Sequence, residues 1–198
     1  MKKKIAYIIN HSSFFYSHII DVACYARKNK YDIKLFCGLA ASEKMDAYSK
    51  KKIKQQNIEI KQHSFKSSSI NFFKEIIGFF QLVKSIKEYK PDIIHCASPK
   101  GIFLGGLVSK YLGIKCLVIF NSGMGYLFSN KINIIFKFIK STYIFLLKNI
   151  IMKHLNKKIV VENKNDYFFL KRKFNLDSKE IKLIKGAGVN LKKYKFKI

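Results

Sequence analysis

Short apolar runs alternate with longer amphipathic or polar stretches along the whole chain. Ile5-Ala6-Tyr7-Ile8-Ile9 is unbroken in its apolarity, the pattern of a parallel strand buried on both faces. Similar runs predict strands over 32–37, 58–62, 92–96, 115–120, 158–162 and 181–184. Between them the spacing predicts helices over about 15–28, 42–55, 70–89, 99–112, 131–155 and 165–174. Ser42 is placed to cap the second helix, Pro91 to end the third and Gly113 to stop the fourth. In the third helix Phe73, Ile76, Ile77, Phe80, Val83 and Ile86 recur at spacings of three and four, which predicts the face turned to the core. Seven strands joined by helical crossovers predict an α/β fold: a doubly wound, parallel, seven-stranded Rossmann-like sheet. No repeat or long linker divides it, and Ser67, Ser68 and Ser69 read as a loop and helix entry.

A length of 198 residues with 48% hydrophobic content is enough for one domain with a buried core. The formal charge of +27 changes the picture. Only Arg27 and Arg172 are arginines, so 39 − 2 = 37 of the basic residues are lysine. Codon bias spread over solvated faces is one source of such a surplus. Physically, the surplus draws the chain to phosphate, on nucleic acid, on sugar nucleotides or on anionic lipid. Cys24, Cys37, Cys96 and Cys116 form no C-x-x-C pair and read as small apolar thiols in a reducing compartment, with no metal site. The apolar run after Met1-Lys2-Lys3-Lys4 is too short for a signal sequence, and no run approaches the roughly 20 residues of a membrane span.

In doubly wound sheets ligands bind at the carboxyl ends of the strands, where strand order reverses. Three loops fall there. The first carries Asn10, His11, Ser12 and Ser13 beside a helix start: an anion or hydroxyl site, or simply a serine cap. His18 follows in that helix, as a functional group at the crevice mouth or as a packed or solvated ring. The second carries Ser98-Pro99 and Lys100, a cation in a helix's first turn that points to a phosphate partner unless it is one more surface lysine. Gly101, Gly105 and Gly106 do not make a dinucleotide fingerprint, and suit close packing of helix on sheet. The third, Asn121-Ser122-Gly123-Met124-Gly125, has two glycines that let backbone approach a ligand. The helix over 131–155 is apolar around most of its circumference, with Phe136, Phe138, Tyr143, Phe145 and Leu146 alongside Lys137, Lys140 and Lys148. It reads as a core helix or as one lying on an anionic bilayer.

These segments together resemble the N-terminal domain of family 4 glycosyltransferases of the GT-B fold, in the bacterial branch serving lipid-linked oligosaccharide, capsule or lipopolysaccharide assembly. The resembling residues are INHSSFFYSHIIDVACYARKNKYDI, YKPDIIHCASPKGIFLGGLVSKYLGIK, NSGMGYLFS, VVENKNDYFFL and IKGAGVN, in that order over nearly the full length. The resemblance implies residues 1–190 as an acceptor-side Rossmann-like domain and 191–198 as the start of a crossing to a second half. It implies retaining transfer from a nucleotide sugar, usually a UDP-sugar, to a polyprenyl-diphosphate-linked or polysaccharide acceptor. No cofactor or metal is implied, and the location is the inner face of the cytoplasmic membrane, as a peripheral protein on an anionic surface. The cleft should be lined by Asn10, Ser12, His18, Ser98, Lys100, Gly101, Ser122, Gly123 and Gly125; no residue of this chain is assigned to catalysis. The donor and the acidic E-x7-E pair belong to the second half, so the chain alone is expected to transfer little. Departures from the branch are His11-Ser12-Ser13 in place of a double glycine, Ile19 in place of Arg, and Ala187 and Asn190 in place of Ser and Asp. Two other readings stay open: a basic nucleic-acid-binding module, set against the scarcity of arginine, and half of a sugar-nucleotide epimerase.

Overall fold

β1 (Lys4–Ile9) lies inside a seven-stranded, fully parallel sheet of order β3-β2-β1-β4-β5-β6-β7. The other strands are β2 (Asp32–Leu39), β3 (Glu59–Lys66), β4 (Ile93–Ala97), β5 (Cys116–Asn121), β6 (Lys157–Val161) and β7 (Ile181–Leu183). The computed structural model describes residues 2–66, 72–123 and 134–186. Gly125, the serines 67–69, the start of the helix at 131, the side chain of Phe136 and the Ala187-Gly188-Val189-Asn190 motif with 191–198 lie outside the described residues. All seven expected strands are present.

The helical elements are α1 (Ser12–Phe14), a π-helical turn (Phe15–Ile19), α2 (Ile20–Lys28), α3 (Glu43–Gln55), α4 (Phe72–Tyr89), α5 (Pro99–Tyr111), α6 (Ile134–Leu146), a second π-helical turn (Leu147–Ile151) and α7 (Lys164–Phe174). The side chain of Ser42 accepts from the Met45 amide, and Gly113 follows α5 at φ 63°, as the capping pattern predicts. The first helix begins earlier than expected and neither serine caps it. His11 does, its Nδ1 accepting from the Phe14 amide at 3.2 Å.

The two faces of β1 feed two cores. Ile5, Tyr7 and Ile9 join Phe15, Ile19, Ala23 and Ile53 from α1–α3 and the turn between them. Ala6 and Ile8 join Leu82, Ile86, Leu104, Val108, Ile151 and Leu170 from α4–α7. Right-handed crossovers produce this division: chain running outward from β1 to β3 covers one face, and chain running back from β3 to β4 and on to β7 covers the other.

Close approach sets the spacing of α5. A Cβ on Gly101 would sit 2.7 Å from the Ile8 carbonyl oxygen, and one on Gly105 would sit 2.9 Å from Cys96 Cβ. These glycines are packing glycines, as their spacing suggests. α4 keeps Val83 and Ile86 of its expected core face and turns the rest of that face outward. Gly78, Phe79, Leu82, Val83 and Ile86 turn toward the sheet, whereas Phe73, Ile76, Ile77 and Phe80 are exposed. The first half of the helix, 72–80, has only Lys74 and Glu75 as polar side chains, so periodicity alone does not choose its buried face there. Phe65 chooses it: a Cβ at Gly78 would lie 2.8 Å from the Phe65 amide nitrogen, so the helix can dock only with its glycine against that residue.

Two histidines are held neutral by burial. His63 lies under α4, 3.0 Å from Ser85 Oγ and stacked on Phe65, and its pKa is pushed down to about 4. His95 sits between Tyr7, at a ring distance of 5.0 Å, and Phe120, and is also pushed down to about 4. Its Nε2 has no hydrogen-bond partner among the described residues.

Two predictions follow from this packing. Gly101→Ala forces backbone apart and should cost about 3 kcal/mol in urea unfolding. Gly113→Ala, with open space around it, should cost only the left-handed strain of about 1 kcal/mol. Equal losses at the two positions would refute the close-approach account. Second, the unfolded chain protonates His63 and His95 near pH 6.5 while the folded chain resists to about 4, so the unfolded state binds more protons in that window. Stability should be full above about pH 6.5 and fall by a few kcal/mol toward pH 4. His63→Gln should flatten the slope of a pH-resolved denaturation series.

Candidate functional site

The strand order reverses between β1 and β4, which pair in parallel register from Ile5↔Ile93 to Ile9↔Ala97. In doubly wound sheets the chain segments that leave at such a point do so in opposite directions and open a crevice at the carboxyl edge. Asn10 continues β1 and Ser98 continues β4.

Ser98 ties the crevice together. It is buried, holds φ 65° and ψ 151°, and its Oγ accepts from the Asn10 amide at 3.3 Å and from the Gly101 amide at 3.4 Å. A non-glycine residue in that backbone region carries strain of order 1–3 kcal/mol, of the kind that accumulates at binding and catalytic positions. The Asn10 carbonyl accepts from the Gly38 amide at 3.1 Å, so β2 also holds this loop. With its backbone fixed on both sides, Asn10 keeps a buried side-chain oxygen, Oδ1, that has no partner among the described residues. An unpaired buried acceptor costs roughly 1–3 kcal/mol, and a ligand donor would recover it.

The other expected site residues divide. Ser12 is fully buried and turns away from the crevice: its hydroxyl donates to Asp46 on α3. Asp46 also pairs with Lys50 at 2.6 Å and accepts from Gln62 on β3 at 3.2 Å. The hydrogen bonds from Lys50 and Ser12 outweigh burial and hold the Asp46 carboxyl below its usual range. His18 is exposed, stacked on Phe14 at 4.4 Å, with Nδ1 2.6 Å from Ser17 Oγ. Lys100 bonds the Lys66 carbonyl and pairs with Glu75 of α4 at 2.8 Å, joining the first turns of α4 and α5 to the end of β3. Gly101 lies against β1 as described. Ser122 and Gly123 leave β5 on the same edge, and Gly123 takes φ 149° with no atom within 4 Å of a Cβ position, so its backbone and not crowding calls for glycine. Gly125 lies outside the described residues. Asn10 and Gly101 thus both bond Ser98, Ser122 and Gly123 are on the next strand end, Ser12 and Lys100 are bonded to Asp46 and Glu75, and His18 is exposed beside Phe14.

Glu162 was not among the expected site residues. It follows β6 directly, and its Oε1 is buried without a partner among the described residues. The available signal was its position: one of only 12 acidic residues in the chain, at the end of a buried strand. Next to it Asn163 caps α7, accepting from the Asp166 amide at 2.8 Å, and Asp166 reaches Asn121 Nδ2 at 3.5 Å. The carboxyl edge therefore offers two unpaired acceptors, Asn10 Oδ1 and Glu162 Oε1, suited to hydroxyl or amide donors. Among the described residues no group of three or more His, Cys, Asp or Glu side chains could hold a metal ion.

Known proteins resemble this chain in sequence and in fold. A family model described as Glycosyl transferase 4-like matches residues 4–154. The N,N'-diacetylbacillosaminyl-diphospho-undecaprenol alpha-1,3-N-acetylgalactosaminyltransferase of Campylobacter jejuni subsp. jejuni serotype O:2 is 28% identical over 152 residues, covering 75% of this chain and 38% of that protein. Among solved structures, the lipopolysaccharide outer core galactosyltransferase WaaB in its apo form superposes with a TM-score of 0.57 at 18% identity, over 92% of this chain and 45% of that one. A putative UDP-N-acetylglucosamine 2-epimerase from Listeria monocytogenes gives 0.61 at 13% identity, over 91% of this chain and 44% of that one. The two structural likenesses concern the fold alone. The chain spans 38% of the length of the curated relative and under half of each of these two structures. Since the match in sequence runs from β1 through α6 and takes in Asn10, Ser98 and Ser122, the chain belongs to the glycosyl transferase 4-like family.

Proposed function

We propose that this chain is the acceptor-binding half of a retaining glycosyltransferase that moves a sugar from a nucleotide donor, a UDP-sugar, to a polyprenyl-diphosphate-linked sugar. The observation that carries the reading is the Ser98–Asn10 junction at the switch point, where a strained serine fixes two loops and leaves Asn10 Oδ1 buried and unpaired. A sugar hydroxyl is a donor of the right kind for that oxygen, and for Glu162 Oε1 on the same edge. The relative's name supports the acceptor class, since it acts on a diphospho-undecaprenol-linked sugar. The donor is held by a second Rossmann-like half, and this chain without it transfers little. The work is done at the cytoplasmic face of the membrane, on its anionic surface; among the described residues no helix is long and apolar enough to cross a membrane.

In this scheme Ser98 is a positioning residue, acting through Asn10. Ser12 positions α1 through Asp46, and Lys100 steadies the α5 start through Glu75. Nucleic acid is not a partner on this reading: the charge rests on lysine, and the bidentate arginine reader of guanine is nearly absent.

Calorimetric titration with a water-soluble, short-chain prenyl-diphosphate sugar tests the proposal. The chain should bind it, and Asn10→Ala should weaken binding roughly tenfold, the worth of one hydrogen bond in a buried setting. Ser12→Ala should lower stability by about 1–2 kcal/mol and leave the affinity within about twofold, because its hydroxyl is committed to Asp46. Preferential binding of UDP-N-acetylglucosamine, with no heat from the prenyl compound, would replace this reading by the epimerase one. Sustained transfer from a UDP-sugar by the chain alone would remove the division between halves.

A further inference from the structure

We infer that an apolar cavity at the carboxyl ends of β5 and β6 receives a methyl group carried by the acceptor sugar, so that its walls set which sugar is accepted. The inference rests on the proposed function for the ligand being an acceptor sugar, and adds the feature of that sugar which the chain selects. The cavity holds about 30 Å³. Its walls are Ile102 of α5, Ile119 of β5, Leu147 of the second π-helical turn, Ile159 of β6 and Leu170 of α7, all buried in the larger core. Pro99, Asn121 and Gly123 also line it and are not buried. They stand where the chain leaves β4 and β5, so the cavity opens on the carboxyl edge of the sheet.

Size and polarity choose the occupant. Native cores have few voids larger than a water molecule. A void walled by aliphatic side chains stays dry, because a water inside it lacks the two to four polar partners it needs. A dry void of roughly 150 Å³ takes a benzene ring. One of about 30 Å³ takes a single methyl-sized group and excludes a prenyl chain or a sugar ring. The rim is braced on two sides. The Tyr143 hydroxyl of α6 donates to the Pro99 carbonyl at 3.4 Å, and Asn121 Nδ2 donates to Asp166 of α7 at 3.5 Å. These bonds hold α6 against the start of α5, and β5 against α7, so the walls do not close on the space. At the rim a Cβ on Gly123 would meet nothing within 4 Å, which leaves room for the body of a ligand. A braced apolar recess with a polar rim is the form of a ligand pocket.

Position connects the cavity to the crevice. Ile102 directly follows Gly101, whose amide donates to Ser98. Ile8 and Ile119 belong to one core, and Asn10 and Asn121 each lie two residues further along, so strand alternation puts both on that same face. β1, β4 and β5 are consecutive in the sheet, so Asn10 and Asn121 are two strand spacings apart, about 10 Å. One hexose with a substituent spans that distance, with a hydroxyl on Asn10 Oδ1 and a methyl in the cavity. Two kinds of sugar present such a methyl: acetamido sugars on the acyl group, and 6-deoxy sugars on the ring. An ordinary hexose would place a hydroxyl among aliphatic walls without a partner, or leave the cavity empty.

The test is calorimetric titration of the full chain with water-soluble, short-chain prenyl diphosphates carrying glucose, 6-deoxyglucose or N-acetylglucosamine. One of the two methyl-bearing sugars should bind at least about tenfold more tightly than glucose, and which of them does so names the class. Leu170→Phe fills the cavity and should bring the preferred sugar to within about twofold of glucose. Circular dichroism and the urea midpoint check its folding; should it fail to fold, Leu147→Phe fills the same space from the other side, and the ligand series on the parent chain needs no substitution. On methyl-labelled protein, intermolecular Overhauser effects should join the sugar methyl to Leu147 and Leu170, with the linked sugar and with the free monosaccharide at high concentration. The inference is overturned if a folded phenylalanine variant keeps the full preference, or if the Overhauser contacts of the sugar methyl fall outside the cavity. Equal affinity for all three linked sugars also overturns it and leaves the proposed function standing. Overhauser contacts from a free methyl-bearing sugar, with no heat from any prenyl compound, keep the cavity and remove the lipid-linked acceptor. No binding of any sugar, free or linked, removes both.

Discussion

β1 is hydrogen-bonded on both edges, to β2 and to β4, and packed on both faces. A parallel strand in that position cannot be reached by tight turns; each neighbour must return through a crossover that lies over one face. Once Ile5, Tyr7 and Ile9 are buried under α1–α3, and Ala6 and Ile8 under α4–α7, the chain has no freedom left in how it exits β1 and β4. The crevice between Asn10 and Ser98 follows from those exits. Its chemistry is thus positioned by the most buried strand of the molecule, which is how loop residues acquire fixed geometry without rigidity of their own.

The junction stores strain because the packing around it is inflexible. Gly101 lets α5 start within contact of the β1 backbone, and Pro99 fixes the first turn. Ser98 is left to absorb the change of direction at φ 65°, and its hydroxyl compensates by accepting two amides at once. Glycine would relieve the strain but release both amides. The serine thus exchanges backbone comfort for a fixed Asn10, whose side-chain oxygen has no partner among the described residues.

Strand positions were legible because runs such as Ile5–Ile9 can only be buried, and burial on both faces implies a parallel sheet. The resemblance carried by INHSSFFYSHI and CASPKGIFLGG is matched by the family model over residues 4–154. The orientation of α4 was not legible. The stretch 72–80 has only Lys74 and Glu75 as polar side chains, so the row Phe73, Ile76, Ile77, Phe80, Val83 and Ile86 looked like one core face; Val83 and Ile86 do pack, and the fit of Gly78 against Phe65 turns the first four outward. Site residues were legible as loops and not as contacts. Sequence places Ser12 beside Asn10, but does not show that Asp46, in a lysine-rich helix with the look of a solvated surface, is buried and takes the Ser12 hydroxyl. Likewise nothing in the order of residues shows that His11 and not a serine caps α1, since a histidine ring does so only when its Nδ1 is aimed by packing against Phe14.

The net charge acquires a meaning once the acids are located. Asp46, Glu59, Glu75, Glu88 and Glu180 are each in an ion pair with a neighbouring lysine. Much of the small acidic complement is thereby spent on local architecture, and the lysine surplus remains as an unbalanced field over the surface. Such a field attracts anions from every direction and cannot orient the molecule by itself. An asymmetric feature is of another kind, and the exposed row of Phe73, Ile76, Ile77 and Phe80 at the start of α4 is one. Salt screens the first kind of attraction and leaves contact through an apolar row largely untouched, so the two contributions to any surface contact separate experimentally.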